Sequence, residues 1–307
     1  MSLPPADPRP SVPDRDALPV AGTVPLPAAL PAATGRRRPS ATLVVGAALV
    51  AIVVAAALVS FFWTPYDPVR ASPAERLQGP SAAHLMGTDR YGRDVFSGIL
   101  EGAQVTLLVG VVAVGIALMV GTPVGIVAGM RGGGLESVIM RASDVVLAFP
   151  ALLLAIMFGA VFGASTTTAM VAIGIASIPA FARVARSGTL QVMSSEFVLA
   201  ARAAGQSRTR IARRHVLPNI SGMVIVQSST SFGIAILAEA GLSFLGLGTP
   251  PPVPSWGRML QESQQFLGTE PLLAVWPGLA IAVAVLGFNL LGDGLRDRFD
   301  PRLEGAR

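Results

Sequence analysis

Six long apolar segments restrict this chain of 307 residues to a membrane fold. They comprise residues 41–62, 105–128, 145–162, 169–184, 220–241 and 273–291. An α-helix rises about 1.5 Å per residue, so about 20 residues cross the hydrocarbon core of a bilayer. The composition agrees, because 52% of the residues are hydrophobic and only 13% are charged. We therefore predict an all-α membrane protein with six transmembrane helices.

The residue types that the chain lacks exclude several classes of enzyme. It contains no Cys and no Lys. Without Lys there is no phosphate-binding loop lysine, so the chain cannot hydrolyse ATP in the P-loop manner. Without Cys, thiol catalysis is excluded. The chain has only two histidines, His84 and His215, which are too few to favour a His/Cys metal site. We therefore predict a protein that is not an enzyme, with no catalytic residues, no metal site and no cofactor site.

The N-terminal part of the chain divides into three segments. Residues 1–40 are rich in Pro, Ala and charge without apolar periodicity, which predicts a disordered tail. The run at 41–62 is too long for the apolar core of a signal peptide, about 7–15 residues, and predicts a first, uncleaved span. Residues 63–103 form a polar, Pro-containing extracytoplasmic segment, with a turn that leads into a helix before the second span.

The distribution of arginine predicts the orientation. With six spans and the N-terminus inside, 18 of the 23 basic residues fall on the cytoplasmic side and five on the other. The positive-inside rule favours that arrangement. Both termini, and with them the tail 1–40, are therefore predicted to be cytoplasmic.

Several residues within the spans predict how the helices pack. Gly121, Gly125 and Gly129 recur at four-residue spacing, which lets a neighbouring helix approach closely. Pro150 should kink the third span. Arg141 and Asp144 lie three residues apart on a helix, so they can pair at the membrane edge.

The fifth span carries an unusual polar stripe. Ser228, Ser231 and Glu239 lie on one helical face, and Gln227 adjoins them. Such a stripe avoids lipid and faces protein or water. Two readings remain open and compatible: hydrogen bonds between helices, and the lining of a translocation pathway. These four residues are the candidates for a pathway or gate.

A basic, polar stretch between the fourth and fifth spans predicts a short exposed helix at residues 194–206. Ser194 or Ser195 is suited to cap its start, and Glu196 favours its first turn. Gly205 is suited to end it. Phe197, Ala200, Ala201 and Ala204 recur at helical spacing and predict a flat face that another protein can grip. Four arginines follow, before a predicted stop at Leu217 and Pro218.

This stretch resembles the "EAA" coupling loop of ABC-importer permeases. The matching positions are Ala200, Ala201, Gly205, Leu217 and Pro218. Leu199 stands where that pattern has Glu, and His215 where it commonly has Ile. Glu196 lies one turn before Leu199, and whether it replaces the usual Glu stays open.

Over residues 41–303 the chain resembles more closely the second, "C"-type permease subunit of dipeptide and oligopeptide importers. The segments that carry this resemblance are HLMGTD at 84–89, GRDV at 92–95, AFP at 148–150, residues 197–205, RHVLPN at 214–219, AEA at 238–240, LSFLGLG at 242–248, PSWG at 254–257 and residues 289–296. The resemblance implies the type I ABC importer permease fold, with a permease core at 104–303. It also implies a bacterial cytoplasmic membrane location.

The resemblance further implies the partners of the chain. They are a second permease subunit, two ABC ATPase subunits that bind the ATP, an extracytoplasmic substrate-binding protein and the lipid bilayer, with no nucleic acid. The residues implied to couple to the ATPase are Glu196, Phe197, Ala200, Ala201, Gly205, Leu217 and Pro218.

The implied function is ATP-driven import of dipeptides or oligopeptides, and three alternatives remain open. The same architecture could import nickel chelates, haem or glutathione. A secondary carrier or channel is a second class, although the sequence shows no obvious internal repeat and only Glu239 as an ionisable residue deep in a span. A structural or receptor membrane protein is the third.

Overall fold

The computed structural model describes residues 40–299, and this part of the chain is helical. Its α-helices are α1 (Ala41–Phe62), α2 (Val95–Arg131), α3 (Gly133–Ala148), α4 (Ala151–Phe162), α5 (Thr166–Met193), α6 (Glu196–Ala203), α7 (Arg208–Ile211), α8 (Leu217–Phe244), α9 (Trp256–Ser263) and α10 (Leu272–Phe299). Short 3-10 turns occupy Pro73–Glu75 and Gln264–Phe266, and a π-helical turn occupies Ala212–Val216. The predicted tail 1–40 lies outside the described residues, apart from residue 40.

All six predicted spans have helical counterparts. Within residues 40–299, five helices are long and apolar enough to cross a membrane: α1, α2, α5, α10 and the continuous helix Arg208–Phe244. The bent pair α3 and α4 makes a sixth candidate if the pair counts as one span. The prediction of an all-α fold with six transmembrane helices is confirmed in this sense.

Helix α2 begins at Val95, within the segment 63–103, and continues into the second span without a break. Asp94 caps its start, because the carboxylate accepts hydrogen bonds from the Ser97 backbone N–H and the Ser97 hydroxyl, each at 2.7 Å. The other carboxylate oxygen lies 3.0 Å from Nδ1 of the buried His84. The polar segment before α2 is therefore fastened to the first turn of the helix.

The third span is broken rather than kinked. α3 and α4 meet at an angle of 81°, separated by Phe149, which is extended, and Pro150, which is not helical. Proline lacks the N–H that a continuing helix needs and disfavours the helical conformation of the preceding residue. The prediction of a disturbance at Pro150 is confirmed, and the disturbance is a complete interruption.

The predicted pair of Arg141 with Asp144 is wrong. Asp144 instead binds Arg183 of α5, and Glu136 of α3 binds Arg186, one turn farther along α5. Both acidic groups find a partner on the neighbouring helix, and that helix could not be identified from spacing along one segment. Arg141 is exposed.

Close packing of α2 on α5 depends on the three spaced glycines. A Cβ atom on Gly121 would lie 2.6 Å from the Ile178 carbonyl oxygen, and one on Gly129 would lie 2.8 Å from the Thr189 Cβ. At Gly125 the same atom would lie 2.8 Å from the Ala185 Cβ. The predicted close approach is confirmed, and α5 is the helix that makes it.

Candidate functional site

The short helix α6 forms between α5 and α8, at the position of the predicted coupling helix. Its start differs from the prediction, because neither candidate serine caps it with its side chain. The Ser195 hydroxyl donates to the Val192 carbonyl at 2.6 Å, and the Ser194 hydroxyl donates to the Gln191 carbonyl at 2.8 Å. Ser195 nevertheless occupies the N-cap position, because its backbone is extended and the helix begins at the next residue. Glu196 occupies the first turn, as predicted.

Gly205 ends α6, as the sequence predicted. Its φ of +72° lies in the left-handed region, where residues with a Cβ are strained. The Gly205 N–H donates to the Arg202 carbonyl at 2.9 Å, and the Gln206 N–H donates to the Ala201 carbonyl at 3.1 Å. This pair of bonds is a Schellman motif, which satisfies the last carbonyls of the helix.

α6 has one buried face and one exposed face. Val198 and Ala201 are buried at 0% and 6% exposure in a cluster that includes Ile211, Val216 and Ile220. The expectation that Ala201 belongs to a face open to another protein is therefore wrong. The fully buried Val198 identifies the inner face of α6, and the sequence analysis did not consider this residue.

The outward side of α6 combines apolar and small side chains. Its exposed residues include Glu196, Phe197, Leu199, Ala200, Ala203, Ala204 and Gly205. Phe197 is 47% exposed and its ring lies 6.0 Å from that of His215, between ring centroids. An exposed Phe and Leu on a helix with three alanines form a surface suited to contact with another protein.

The predicted stop at Leu217 and Pro218 is wrong. α7, the π-helical turn and α8 form one continuous helix, and Pro218 lies in the first turn of α8. The Leu217 N–H donates to the Ala212 carbonyl, five residues earlier. The wider turn accommodates the proline, which removes one N–H from the normal ladder. Leu217 and Pro218 remain exposed beside the start of the fifth span.

The surface around α6 is strongly basic. Its exposed arginines are Arg202, Arg208, Arg210, Arg213 and Arg214. Within residues 40–299, none of these five forms an ion pair. A cavity of about 390 Å³ adjoins the helix, lined by Met130, Met193, Arg202, Gln206, Arg208 and Ile211. Within the described part of the chain, the site therefore presents positive charge without an ion-pair partner beside the apolar face of α6.

The polar stripe of the fifth span lies on α8, and its side chains are buried or partly buried against the rest of the chain. Ser231 is 4% exposed and Glu239 is 1% exposed, while Gln227 and Ser228 are partly buried. Gln227 donates to the Ser231 hydroxyl at 3.1 Å, and Ser228 donates to the Val224 carbonyl of the same helix. A residue beside the stripe, Ser229, makes a hydrogen bond between helices: its hydroxyl donates to the Phe288 carbonyl of α10 at 2.7 Å.

Glu239 belongs to a buried polar group at the C-terminal end of α8. The Ser243 hydroxyl donates to Glu239 Oε1 at 2.6 Å and accepts from the Thr249 backbone N–H at 3.1 Å. Glu239 Oε2 has no hydrogen-bond partner among the described residues. Sequence reasoning missed Ser243 and Thr249; the four-residue spacing of Glu239 and Ser243 was the available signal for the first.

The segment before α2 holds one titratable group with a perturbed pKa. Burial raises the pKa of the Asp89 carboxyl above its ordinary value. Backbone N–H donors of Arg93 and Tyr91 and the charge of Arg93 act in the opposite direction. These donors fold the segment into a tight turn directly before Asp94.

Comparison with known proteins identifies the family. Residues 121–305 match the family described as "Binding-protein-dependent transport system inner membrane component". The chain belongs to this family. This permease is therefore a multi-pass, non-enzymatic inner-membrane component of a binding-protein-dependent ABC importer. An importer of that kind implies ATPase and binding-protein partners.

Two curated relatives of this permease are equally similar. The chain is 43% identical to the dipeptide transport system permease protein DppC of Alkalihalophilus pseudofirmus over 261 residues, which cover 85% of this chain and 86% of the relative. It is also 43% identical to the glutathione transport system permease protein GsiD of Pectobacterium atrosepticum over 256 residues, covering 83% and 85%. The prediction of a C-type permease is confirmed.

A solved structure supports the fold of this permease. A chain of the inward-facing MetNI methionine ABC transporter matches with a TM-score of 0.55 at 17% identity, over 67% of this chain and 96% of that chain. At that identity the likeness concerns the fold alone. Family membership overturns the alternatives of a secondary carrier and of a structural or receptor protein.

Proposed function

We propose that this permease imports short peptides, namely dipeptides or oligopeptides, through a pathway that it forms with a second permease subunit. The dipeptide permease relative, at 43% identity over 85% of the chain, carries this proposal. A specific second candidate is glutathione, because a glutathione permease is equally similar. Glutathione is itself a short peptide, so both candidates share a substrate class.

The substrate is tested by reconstituting the permease with its second permease, two ATPases and binding protein in vesicles. We expect ATP-dependent uptake of a labelled dipeptide that excess glutathione does not inhibit. Uptake of glutathione without uptake of the dipeptide would establish the second candidate. ATP hydrolysis without uptake of either peptide would contradict the proposal.

We propose that α6 is the coupling helix and that the ATPase grips its outward face. Glu196, Phe197, Ala200 and Gly205 are exposed and available for that contact, together with Leu217 and Pro218. Ala201 contributes differently, because its burial against the core cluster holds α6 in place. The exposed arginines around α6 form no ion pair within residues 40–299, which favours an ATPase surface that carries acidic groups.

The proposed orientation places both termini and α6 in the cytoplasm, with segment 63–94 and α9 outside. Single Cys residues test it without background, because the chain has no Cys. We expect Ser81→Cys and Gln264→Cys to react with an impermeant thiol reagent in intact cells. Ser207→Cys and Ser40→Cys should react only after permeabilisation. Labelling of Ser207→Cys in intact cells would contradict the orientation.

We propose that Gln227, Ser228, Ser231 and Glu239 border the pathway when the transporter changes conformation. Glu239→Gln keeps an oxygen that accepts the Ser243 hydrogen bond, so we expect a normal amount of protein with altered uptake. Glu239→Leu removes that acceptor, which costs about 1–3 kcal/mol, and should lower both. The measurements are membrane abundance and peptide uptake. Wild-type uptake by both variants would exclude a role for Glu239.

A further inference from the structure

We propose that two ion pairs, Arg186–Glu136 and Arg183–Asp144, make α3 and α5 move as one body and so carry movement of α6 into the third span. This inference rests on the proposed role of α6 as the coupling helix. It assigns four charged residues to the transmission of force within the permease. None of them contacts substrate, so they are positioning residues.

The connection between α5 and α6 is short and hydrogen-bonded. α5 ends at Met193 and α6 begins at Glu196, so two residues connect the helices. The backbone N–H of Ser195 donates to the Val192 carbonyl at 3.1 Å, and the Ser195 carbonyl accepts from Val198 and Leu199 at 3.1 and 3.2 Å. A displacement of α6 is therefore passed directly to the end of α5.

No apolar side chain of α3 is fully buried, so apolar packing alone holds it only weakly to its neighbours. Ser143 is the one buried residue of α3. Several of its apolar side chains are exposed, with Val138 at 65% and Val145 at 61% exposure, whereas Ile139, Met140 and Val146 are partly buried. One end of α3 follows Gly132, which has a positive φ, and the other end meets the 81° break before α4. The ion pairs are thus the specific links that set where α3 lies on α5.

The two pairs differ in strength and act together. The Arg186 and Glu136 side chains are 34% and 20% exposed, whereas Arg183 and Asp144 are 50% and 62% exposed. Water screens the exposed pair, so the partly buried Arg186–Glu136 pair dominates. The contacts lie one turn apart on α5 and about two turns apart on α3, in opposite chain directions. Two separated points of attachment oppose rotation of α3 against α5.

The test compares charge reversal with charge exchange in the reconstituted transporter. Glu136→Arg places like charges together, and we expect uptake per ATP hydrolysed to fall about tenfold. The double variant Glu136→Arg/Arg186→Glu restores the attraction and should recover most of the coupling. Arg141→Glu, an exposed charge reversal on the same helix, is the control and should transport normally.

A second measurement keeps the test informative if charge reversal impairs folding. The double variant Glu136→Cys/Arg186→Cys can be joined by a short bifunctional thiol reagent. If α3 and α5 move as one body, the cross-linked transporter keeps its uptake. Loss of uptake on cross-linking, normal coupling in Glu136→Arg, or no recovery on charge exchange would each overturn the inference. Failure of the proposed function differs, because the wild-type complex would then show no ATP-dependent uptake.

Discussion

Gly205→Val is expected to abolish uptake while the permease remains inserted in the membrane. The φ of +72° at this residue costs a residue with a Cβ about 1–2 kcal/mol, and a β-branched side chain resists it more strongly. No atom lies within 4 Å of a Cβ built at Gly205, so the effect comes from the backbone and not from a clash. The Schellman motif would open and the C-terminal turn of α6 would change direction.

A matched control separates this backbone effect from other consequences of the substitution. Asn is the residue with a side chain that most readily adopts the left-handed conformation, so Gly205→Asn should retain most uptake. The measurements are membrane abundance, uptake and co-purification of the ATPase subunits. We expect Gly205→Val to be abundant but deficient in the last two. Normal uptake by Gly205→Val would contradict the role of this turn in coupling.

Gly121→Leu should prevent the permease from folding in the membrane. A Cβ at this position would lie 2.6 Å from the Ile178 carbonyl oxygen and 2.7 Å from the Phe181 Cβ. A change of side-chain rotamer cannot relieve that overlap, because the Ile178 oxygen is part of the α5 backbone and the Phe181 Cβ is bonded directly to it. Overpacking costs about 1–3 kcal/mol in an ordinary core, and separating two helices should cost at least that much.

The same helix provides the control for this prediction. Gly115 also lies in α2, but a Cβ there meets no atom within 4 Å. Gly115→Leu should therefore leave the abundance and thermal stability of the detergent-solubilised permease close to the wild-type values. Equal stability of Gly121→Leu and Gly115→Leu would show that the contact between α2 and α5 does not depend on the glycine.

Hydropathy and glycine spacing were sufficient to predict the spans and the close approach of a neighbouring helix to the glycines of the second span. Both signals are local, since each depends on a short window of sequence. The extent of the break at Pro150 was not local, because the 81° angle depends on what the two half-helices pack against. The continuity of the helix through Pro218 was also missed, since a π-helical turn leaves little trace in composition.

The candidate coupling site was predicted in position but only partly in geometry. The left-handed residue at Gly205 follows from glycine's own conformational freedom, and it was found. The burial of Ala201 follows from the apolar residues Ile211, Val216 and Ile220, which come later in the chain and close over α6. The partners of Arg183 and Arg186 were missed for the same reason, because oppositely charged residues nearly 40 and 50 positions away pair only in the folded chain.

The continuous helix Arg208–Phe244 is long enough to act as a lever between α6 and the buried polar group around Glu239. Its 37 residues span about 55 Å, and the Ser229 hydrogen bond to α10 lies near its middle. For a straight helix of that length, each degree of tilt about the middle moves the two ends by about 0.5 Å in opposite directions. If the helix tilts about that point, the end beside α6 and the end that carries Glu239 move towards opposite sides.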